Sequence, residues 1–346
     1  ARAAHQVRIT SLQIENLRIV EQLQLSPGKG INFIVGGNGA GKTSILEAIY
    51  LAGRGRTFRH ADAGPMIREG SDSTRVVVEI GDEVSGRASL LGVQRERRSL
   101  ICRLNGSDVH KRSWLAEALP LQWIGSQPQL LLSMGPEARR RFLDMGLFHV
   151  EPGYLALLGE CHRSLKQRNA AVRAGDPRQV GIWNAPFADS AERLTAHRRG
   201  FAAKLLKRTS SLLQSWGASF SIDFLFRPGW SKDESLATQL ESRIPLDLRM
   251  GYTTIGPQRA DLEIATVQGG PAEKRLSRGQ QKLLVFALNV ALNELVREQK
   301  GKAPILLIDD LASELDRLNR QTLLKALADR EGQTFVASIS LDSVEF

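Results

Sequence analysis

A lysine and a threonine close the run Gly36-Gly37-Asn38-Gly39-Ala40-Gly41-Lys42-Thr43, which fits the pattern G-x-x-x-x-G-K-[ST]. Chemistry at that spacing is phosphate binding. Glycines let backbone N–H groups close around phosphate oxygens, and a helix that starts at the loop adds its partial positive charge. Lys42 then meets the β- and γ-phosphates of a nucleotide, the Thr43 hydroxyl takes Mg²⁺, and Ser44 follows at the same junction. Far along the chain, four aliphatic residues lead into two carboxylates in Ile305-Leu306-Leu307-Ile308-Asp309-Asp310. Asp309 suits the Mg²⁺ side of a phosphate site, and Asp310 is placed to orient or deprotonate an attacking water. A third segment, Leu276-Ser277-Arg278-Gly279-Gln280-Gln281, has the form of a second anion-binding helix start. Ser277 supplies a hydroxyl, Gly279 permits close backbone approach, and an apolar-periodic helix follows.

The elements needed to hold these groups are legible in periodicity. Ile31–Val35 reads as a short buried strand and Thr43–Leu51 as a helix, so the glycine loop joins strand to helix. Ile305–Ile308 reads as a buried parallel strand whose C-terminal end delivers Asp309 to the edge where α/β sheets bind ligands. Thr74–Ile80, Arg87–Val93 and Ser99–Leu104 suggest an antiparallel layer, with a turn at Asn105-Gly106. From about residue 112 to 217 the pattern is helical. Tyr154, Leu158, Cys161, Leu165 and Val172 form one apolar stripe; Phe187, Leu194, Phe201, Leu205, Leu212 and Trp216 form another. The Gly- and Pro-containing segment Ala174–Pro186 between them predicts an antiparallel helical arm. Phe220–Phe226 and Gly251–Ile264 read as strands. A helix then runs to about Glu298, and a strand–helix–strand spans Ile305–Ser338.

Composition narrows the partners. The 346 residues carry a formal net charge of +10, which favours polyanions: nucleic acid first, acidic membrane surfaces second. Two cysteines, Cys102 and Cys161, lie far apart, and the six histidines form no metal-ligand pattern. There is no apolar run of spanning length and no secretory h-region, so a cytoplasmic protein without a membrane partner is expected. Arg139-Arg140-Arg141, Arg95-Glu96-Arg97-Arg98, Arg198-Arg199 and Lys204, Lys207 and Arg208 are basic clusters, either solvated faces or DNA-phosphate contacts. No base-reading module accompanies them, so any nucleic-acid binding is expected to be backbone-directed and salt-sensitive.

The three segments together resemble the ABC-type ATPases, and within them the SMC-like branch. At its finest the resemblance is to the RecF family of bacterial recombination mediators. It also covers Arg54-Gly55-Arg56-Thr57-Phe58-Arg59, the stretch Arg140–Gly153, Leu165–Ala171 and Asp309-Asp310-Leu311-Ala312-Ser313-Glu314-Leu315-Asp316. The implied fold class is α/β: an ABC/SMC-like P-loop ATPase head with mixed β-sheets and an inserted α-helical arm lobe. The expected domains are an ATPase lobe over residues 1–111, a helical lobe over 112–275, and the signature helix with the rest of the ATPase lobe over 276–346.

The resemblance implies more about the site than the residues alone. ATP and Mg²⁺ would be its cofactors, with hydrolysis acting as a weak, DNA-dependent switch. In these families the phosphate loop of one protomer meets the signature of the other, so Ser277, Arg278, Gly279 and Gln280 would act in trans and ATP would join a homodimer. Ser313 and Asp316 would lie in a loop of that dimer. Gln127, in Gly125-Ser126-Gln127-Pro128, stands where such ATPases sense Mg²⁺ and the γ-phosphate, or else in a surface loop. Arg56 and Arg59 would reach phosphate oxygens, or else form a solvated basic turn. Ile339 stands where transporters place a sensing histidine. The implied partners are double-stranded DNA and single-strand/duplex junctions, RecR and RecO, and indirectly RecA and single-strand-binding protein. The alternative is the ATPase subunit of an ABC transporter, against which the helical stripes and Ile339 count. A chromosome-bridging structural ATPase would need a far longer coiled coil.

Overall fold

The computed structural model describes residues 7–59, 66–82, 86, 88–310 and 317–339. Its strands are β1 (Val7–Leu17), β2 (Val20–Leu25), β3 (Ile31–Val35), β4 (Ser73–Asp82), β5 (Ala88–Glu96), β6 (Leu100–Leu104), β7 (Ser107–Asp108), β8 (Leu121–Ile124), β9 (Ile222–Arg227), β10 (Asp261–Thr266), β11 (Ile305–Asp309) and β12 (Thr334–Ser338). The chain forms two compact units, one of residues 1–128 with 292–346 and one of residues 129–291. The sequence placed these boundaries at 111/112 and 275/276. The helix Arg112–Ala118 and β8 belong with the first unit because β8 pairs in parallel with β11.

The described residues of the first unit form two sheets. One is antiparallel in the order β2-β1-β4-β5-β6-β7, and the other is parallel in the order β3-β12-β11-β8. The helix Lys42–Arg54 packs against strands of both. Leu46, Ala48, Ile49, Leu51 and Ala52 are therefore all buried, joined in one core by Ile9, Leu12 and Val78 from one sheet and by Leu307 and Phe335 from the other. A helix that is apolar on most faces is stable only in such a setting. The buried Gln333 amide ties the layers. It accepts from the Ile9 N–H at 2.8 Å and donates to the Ile9 carbonyl at 3.0 Å and the Gly28 carbonyl at 2.7 Å. β3, at one edge of this sheet, is half-buried instead of buried, whereas β8 at the other edge is mostly buried and Ile305–Ile308 of β11, flanked on both sides, are fully covered. Asn105 and Gly106 take φ of 51° and 83°, the two-residue hairpin conformation, between β6 and β7.

The second unit contains the paired helices Tyr154–Ala174 and Asn184–Ser215, the short helix Pro177–Ile182 between them, and the antiparallel pair β9–β10. The buried stripes differ by single residues from the apolar pattern: Leu157 is covered where Leu158 was expected, and Leu213 where Leu212 was. Gly251–Ile264 is a strand only from Asp261 onward. Gly251 ends a helix, the Thr253 and Thr254 amides donate to the side chains of Asn169 and Asp247, and Pro257–Arg259 forms a 3₁₀ turn. Side-chain acceptors thus take the N–H groups a strand ladder would need.

Arg168 lies wholly buried inside this unit. It donates to Asp247 Oδ2 at 2.7 Å, Thr253 Oγ1 at 2.8 Å, Asn184 Oδ1 at 2.8 Å and the Leu240 carbonyl at 3.3 Å. Removing one member of a buried pair leaves an uncompensated charge, which costs about 3–5 kcal/mol. Asp247→Ala is therefore expected to lower unfolding free energy by about that amount in urea titration. A loss below about 1 kcal/mol would show that the pair does not hold the arm to the helices Leu236–Ser242 and Ile244–Met250. Among the described residues, no helix is long and apolar enough to cross a membrane.

Candidate nucleotide site

Parallel pairing decides where the chemistry gathers. Val35 is in register with Ser338, Ala337 with Asp309, and Ile308 with Ile124, so the C-terminal ends of four strands share one edge. From that edge emerge Gly36, Asp309 with Asp310, Gly125–Gln127 and Ile339. The Gly36 N–H donates to the Ser338 carbonyl at 3.3 Å and the Asp310 N–H to the Ala337 carbonyl at 3.2 Å, so both halves of the site hang on β12.

Gly37, Asn38, Gly39 and Ala40 are exposed, and the helix begins at Gly41 with φ of 90°. Gly39 likewise has φ of 78°. A side chain at either position would be strained, which accounts for glycine in a loop that turns its N–H groups inward. The first helical residues place Lys42 and Thr43 half-buried and Ser44 buried. Lys42 Nζ donates to the Gly36 and Gly37 carbonyls, each at 2.7 Å, which holds the ammonium across the loop. Thr43 Oγ1 lies 3.1 and 3.3 Å from the two Asp309 carboxylate oxygens and donates to them, across 266 residues of sequence.

This hydroxyl and carboxylate fit Mg²⁺. The donors are hard oxygens, and Mg²⁺ in phosphate sites takes one or two protein oxygens and fills its sphere with phosphate and water. A cage of His, Cys, Asp or Glu ligands is not needed for that, and among the described residues none exists.

Burial pushes the Asp309 carboxyl above its usual value of 3.8. The Thr43 hydrogen bond and the charges of Arg59 and Lys42 oppose this, while Asp310 adds to it. Because the folded value lies above the unfolded one, the native state gains from a proton on Asp309 at low pH and loses that gain as pH rises through the folded value. At neutral pH the ionised group is a net cost. Asp309→Asn is accordingly expected to raise the nucleotide-free melting temperature at pH 7, while metal-dependent ATP hydrolysis drops at least about 100-fold. Scanning calorimetry and phosphate release check the two halves; a lower melting temperature would show that the carboxylate stabilises the apo fold.

A second layer was not read from the sequence. Glu47, one helical turn after Thr43, is fully buried. Its carboxylate accepts from Arg18 Nε and Nη2 at 2.8 Å each and from the Thr57 hydroxyl, and Arg59 Nε lies 3.8 Å away. Burial by itself would push this carboxyl up, but the hydrogen bonds from Arg18 and Thr57 and the charges of Arg18 and Arg59 hold it below the usual range. The Thr57 hydroxyl also accepts from the Arg59 N–H at 2.9 Å, and Phe58 stacks on Trp123 with ring centroids 3.8 Å apart. Arg59 is thereby held near Glu47 and within electrostatic reach of Asp309. Arg56 is exposed and acts electrostatically on Arg54. The signal for this layer was a lone carboxylate inside the apolar run Ile45-Leu46-Glu47-Ala48-Ile49.

Gln127 is exposed just beyond β8, at the same sheet edge. Ser313 and Asp316 lie outside the described residues. The signature segment falls in the second unit. There the Ser277 N–H donates to Gln280 Oε1 at 2.9 Å and Ser277 Oγ accepts from the Gln280 N–H at 3.3 Å, a reciprocal capping box opening the helix Arg278–Lys300. Ser277 and Arg278 are exposed, and Gly279 and Gln280 half-buried. Ser277 Oγ uses only an acceptor there, which leaves its hydroxyl proton to donate.

The arginine run 139–141 does not form a common face. Arg139 donates to both Asp261 oxygens at 2.8 and 2.9 Å and to the Leu132 carbonyl at 2.8 Å, and Arg140 donates to the Ala260 carbonyl at 2.6 Å. Arg141 alone of the three is exposed, paired with Glu137. Successive helical residues point about 100° apart, so a run of three cannot line one surface. Arg198 is likewise buried, bonded to both Asp144 oxygens at 2.8 Å.

Comparison with known proteins gives a consistent result. Residues 8–346 match the family described as the RecF/RecN/SMC N terminal domain. The chain is 39% identical over 338 residues to the DNA replication and repair protein RecF of Pectobacterium atrosepticum, covering 97% of this chain and 93% of that one. With the protein of the same name from Shewanella pealeana it shares 40% identity over 335 residues, covering 96% and 92%. Among solved structures, that of the recombination mediator protein RecF-ATP in the RecFOR pathway superposes with a TM-score of 0.85 at 22% identity, over 99% of this chain and 95% of that one. An Smc head domain from Pyrococcus furiosus superposes with a TM-score of 0.62 at 15% identity, over 98% and 91%.

Proposed function

The chain belongs to the RecF/RecN/SMC family, and from that premise we propose that it is an ATP-gated clamp on duplex DNA, serving DNA replication and repair. The observation that carries the reading is the joining of Lys42, Thr43 and Asp309 at one sheet edge, in a chain that also presents a capped, exposed helix start at Ser277. Lys42 meets the β- and γ-phosphates, and backbone N–H groups of Gly37–Gly41 close around them. Thr43 and Asp309 would hold Mg²⁺, which when bound neutralises phosphate charge. Asp310, whose charge is felt by Asp309, orients or deprotonates the attacking water. Ser277 and Gly279 of one protomer complete the phosphate site of its partner, so ATP favours the closed homodimer by its differential affinity and hydrolysis releases it.

DNA is held through its backbone by the chain's surplus positive charge, preferentially near single-strand gaps and junctions, so binding weakens steeply with salt. The output is assembly: RecO and RecR join and RecA is loaded. That solved relatives act in the RecFOR pathway supports the assembly with RecO and RecR.

The test is fluorescence anisotropy of a labelled duplex bearing a single-strand junction, titrated with protein at one fixed moderate salt in ATP with Mg²⁺ and in ADP with Mg²⁺. Tighter binding with ATP supports the clamp. Weak binding indifferent to the nucleotide removes the DNA role.

A further inference from the structure

We propose that the outer face of the antiparallel sheet carries a docking groove, centred on Gly92, for a protein segment that presents an apolar side chain flanked by carboxylates. The groove, of about 360 Å³, runs over β4, β5 and β6. Strand alternation builds it. Val76, Val78, Leu91 and Val93 turn into the core, which leaves Val77, Leu90, Gly92 and Ile101 on the other side. Leu90 is 51% and Ile101 41% exposed, a high value for branched aliphatic residues on neighbouring strands.

Gly92 is the telling residue. Glycine within a strand weakens it and usually marks a bulge, a tight bend or the close approach of an outside group. The first two do not apply. Gly92 pairs in unbroken register with Val77 on one side and Arg103 on the other, and its φ is not in the left-handed region. A Cβ placed there would meet no atom within 4 Å, so packing does not demand glycine either. What its hydrogen provides is depth at the centre of an apolar surface.

Charge selects the occupant. Among the described residues, the charged ones lining the groove are Arg75, in register with Gln94, and Arg103, in register with Gly92, and none of the lining is a carboxylate. Arg103 shares an exposed pair with Asp108 at 3.1 Å, and on the same face Glu15 is in register with Arg75 and Glu79 with Leu90, all three carboxylates outside the lining. An exposed pair such as Arg103–Asp108 is weak and exchanges readily for a partner's carboxylate. Among the described residues the floor is aliphatic, and burying it gains nothing against a phosphate backbone but does against an apolar side chain, which favours a protein over nucleic acid. An apolar anchor in a central depression, ringed by charge pairs, is the arrangement that concentrates binding energy at protein interfaces.

The experiment pans a phage-displayed random peptide library against the full chain, with Gly92→Ile as the counter-selection. Selected peptides are labelled and titrated by anisotropy against wild type, Gly92→Ile, Arg75→Glu and Arg103→Glu, beside a labelled single-stranded oligonucleotide. Isoleucine is a strand former and points outward here, so its melting temperature should equal or exceed that of wild type; Gly92→Ala substitutes if it does not. The expected result is enrichment of peptides combining Asp or Glu with a large apolar residue. Their affinity should fall about tenfold or more in Gly92→Ile and in each charge reversal, with ATP affinity unchanged. The proposal is overturned if selection yields no peptide that Gly92→Ile discriminates, if the selected peptides are basic, or if only the oligonucleotide responds to these substitutions.

Discussion

Lys42→Met is expected to weaken ATP binding at least about 100-fold and to abolish ATP-dependent DNA-bound dimers with it. The lysine ammonium is held across the phosphate loop by the Gly36 and Gly37 carbonyls at 2.7 Å, and hydrogen bonds to charged groups contribute roughly 1.5–3 kcal/mol each. Methionine keeps the length and the apolar stem but supplies neither charge nor donor. Gly37 is exposed and Gly36 half-buried, so water can take up at least one of the released carbonyls, and the fold should survive. Calorimetric titration of ATP, with a thermal melt as control, separates the outcomes. A well-folded methionine variant that binds ATP within about threefold of wild type would show that the loop does not bind the phosphates.

Ser277→Arg is expected to do the reverse: nucleotide binding by a single chain stays within about threefold, while the ATP-dependent dimer disappears. The substitution breaks the reciprocal cap between Ser277 and Gln280, which costs about 1 kcal/mol. The helix Arg278–Lys300 can bear that, because Leu283–Leu288 and Val290–Leu292 are almost wholly buried along it. The consequence for the proposed interface is larger. A long side chain stands where Gly279 otherwise lets a phosphate approach the helix N-terminus. Sedimentation velocity with ATP and Mg²⁺ reads the dimer directly, and Ser277→Ala, which loses the cap without adding bulk, isolates the steric part. A Ser277→Arg chain that still dimerises with ATP would falsify the shared-site reading.

Glu47 shows why the site was only partly legible. Its neighbours in sequence are apolar, and charge at such a position reads as an exposed face of the helix. Its buried state depends on Arg18, 29 residues earlier, and on Thr57 and Arg59, 10 and 12 residues later. No periodicity carries information about such partners. Arg168 is the same case in the second unit: it sits in Lys166-Gln167-Arg168-Asn169, polar at every position, and lies at the centre of a buried network because Asp247 and Asn184 converge on it. The arginine run 139–141 failed in the opposite sense. It read as one basic cluster, and helical geometry with Asp261 and Ala260 turned two of its members inward.

By itself the sequence determined the local chemistry and the kind of protein. A glycine loop before Lys42-Thr43, an aliphatic strand into Asp309 and Leu-Ser-x-Gly-Gln are each set within a few residues, by backbone freedom, burial and helix capping. The family and the parallel strand ends followed from them. Tertiary structure alone decided which charges face each other: that Thr43 and Asp309 come within 3.1 Å across 266 residues, that Glu47 and Arg168 are buried, and that Gly92 opens a groove. The reason is range. Turns, caps and strand alternation are governed by neighbours along the chain, whereas the cost of burying a charge is offset only by partners that folding brings in from elsewhere.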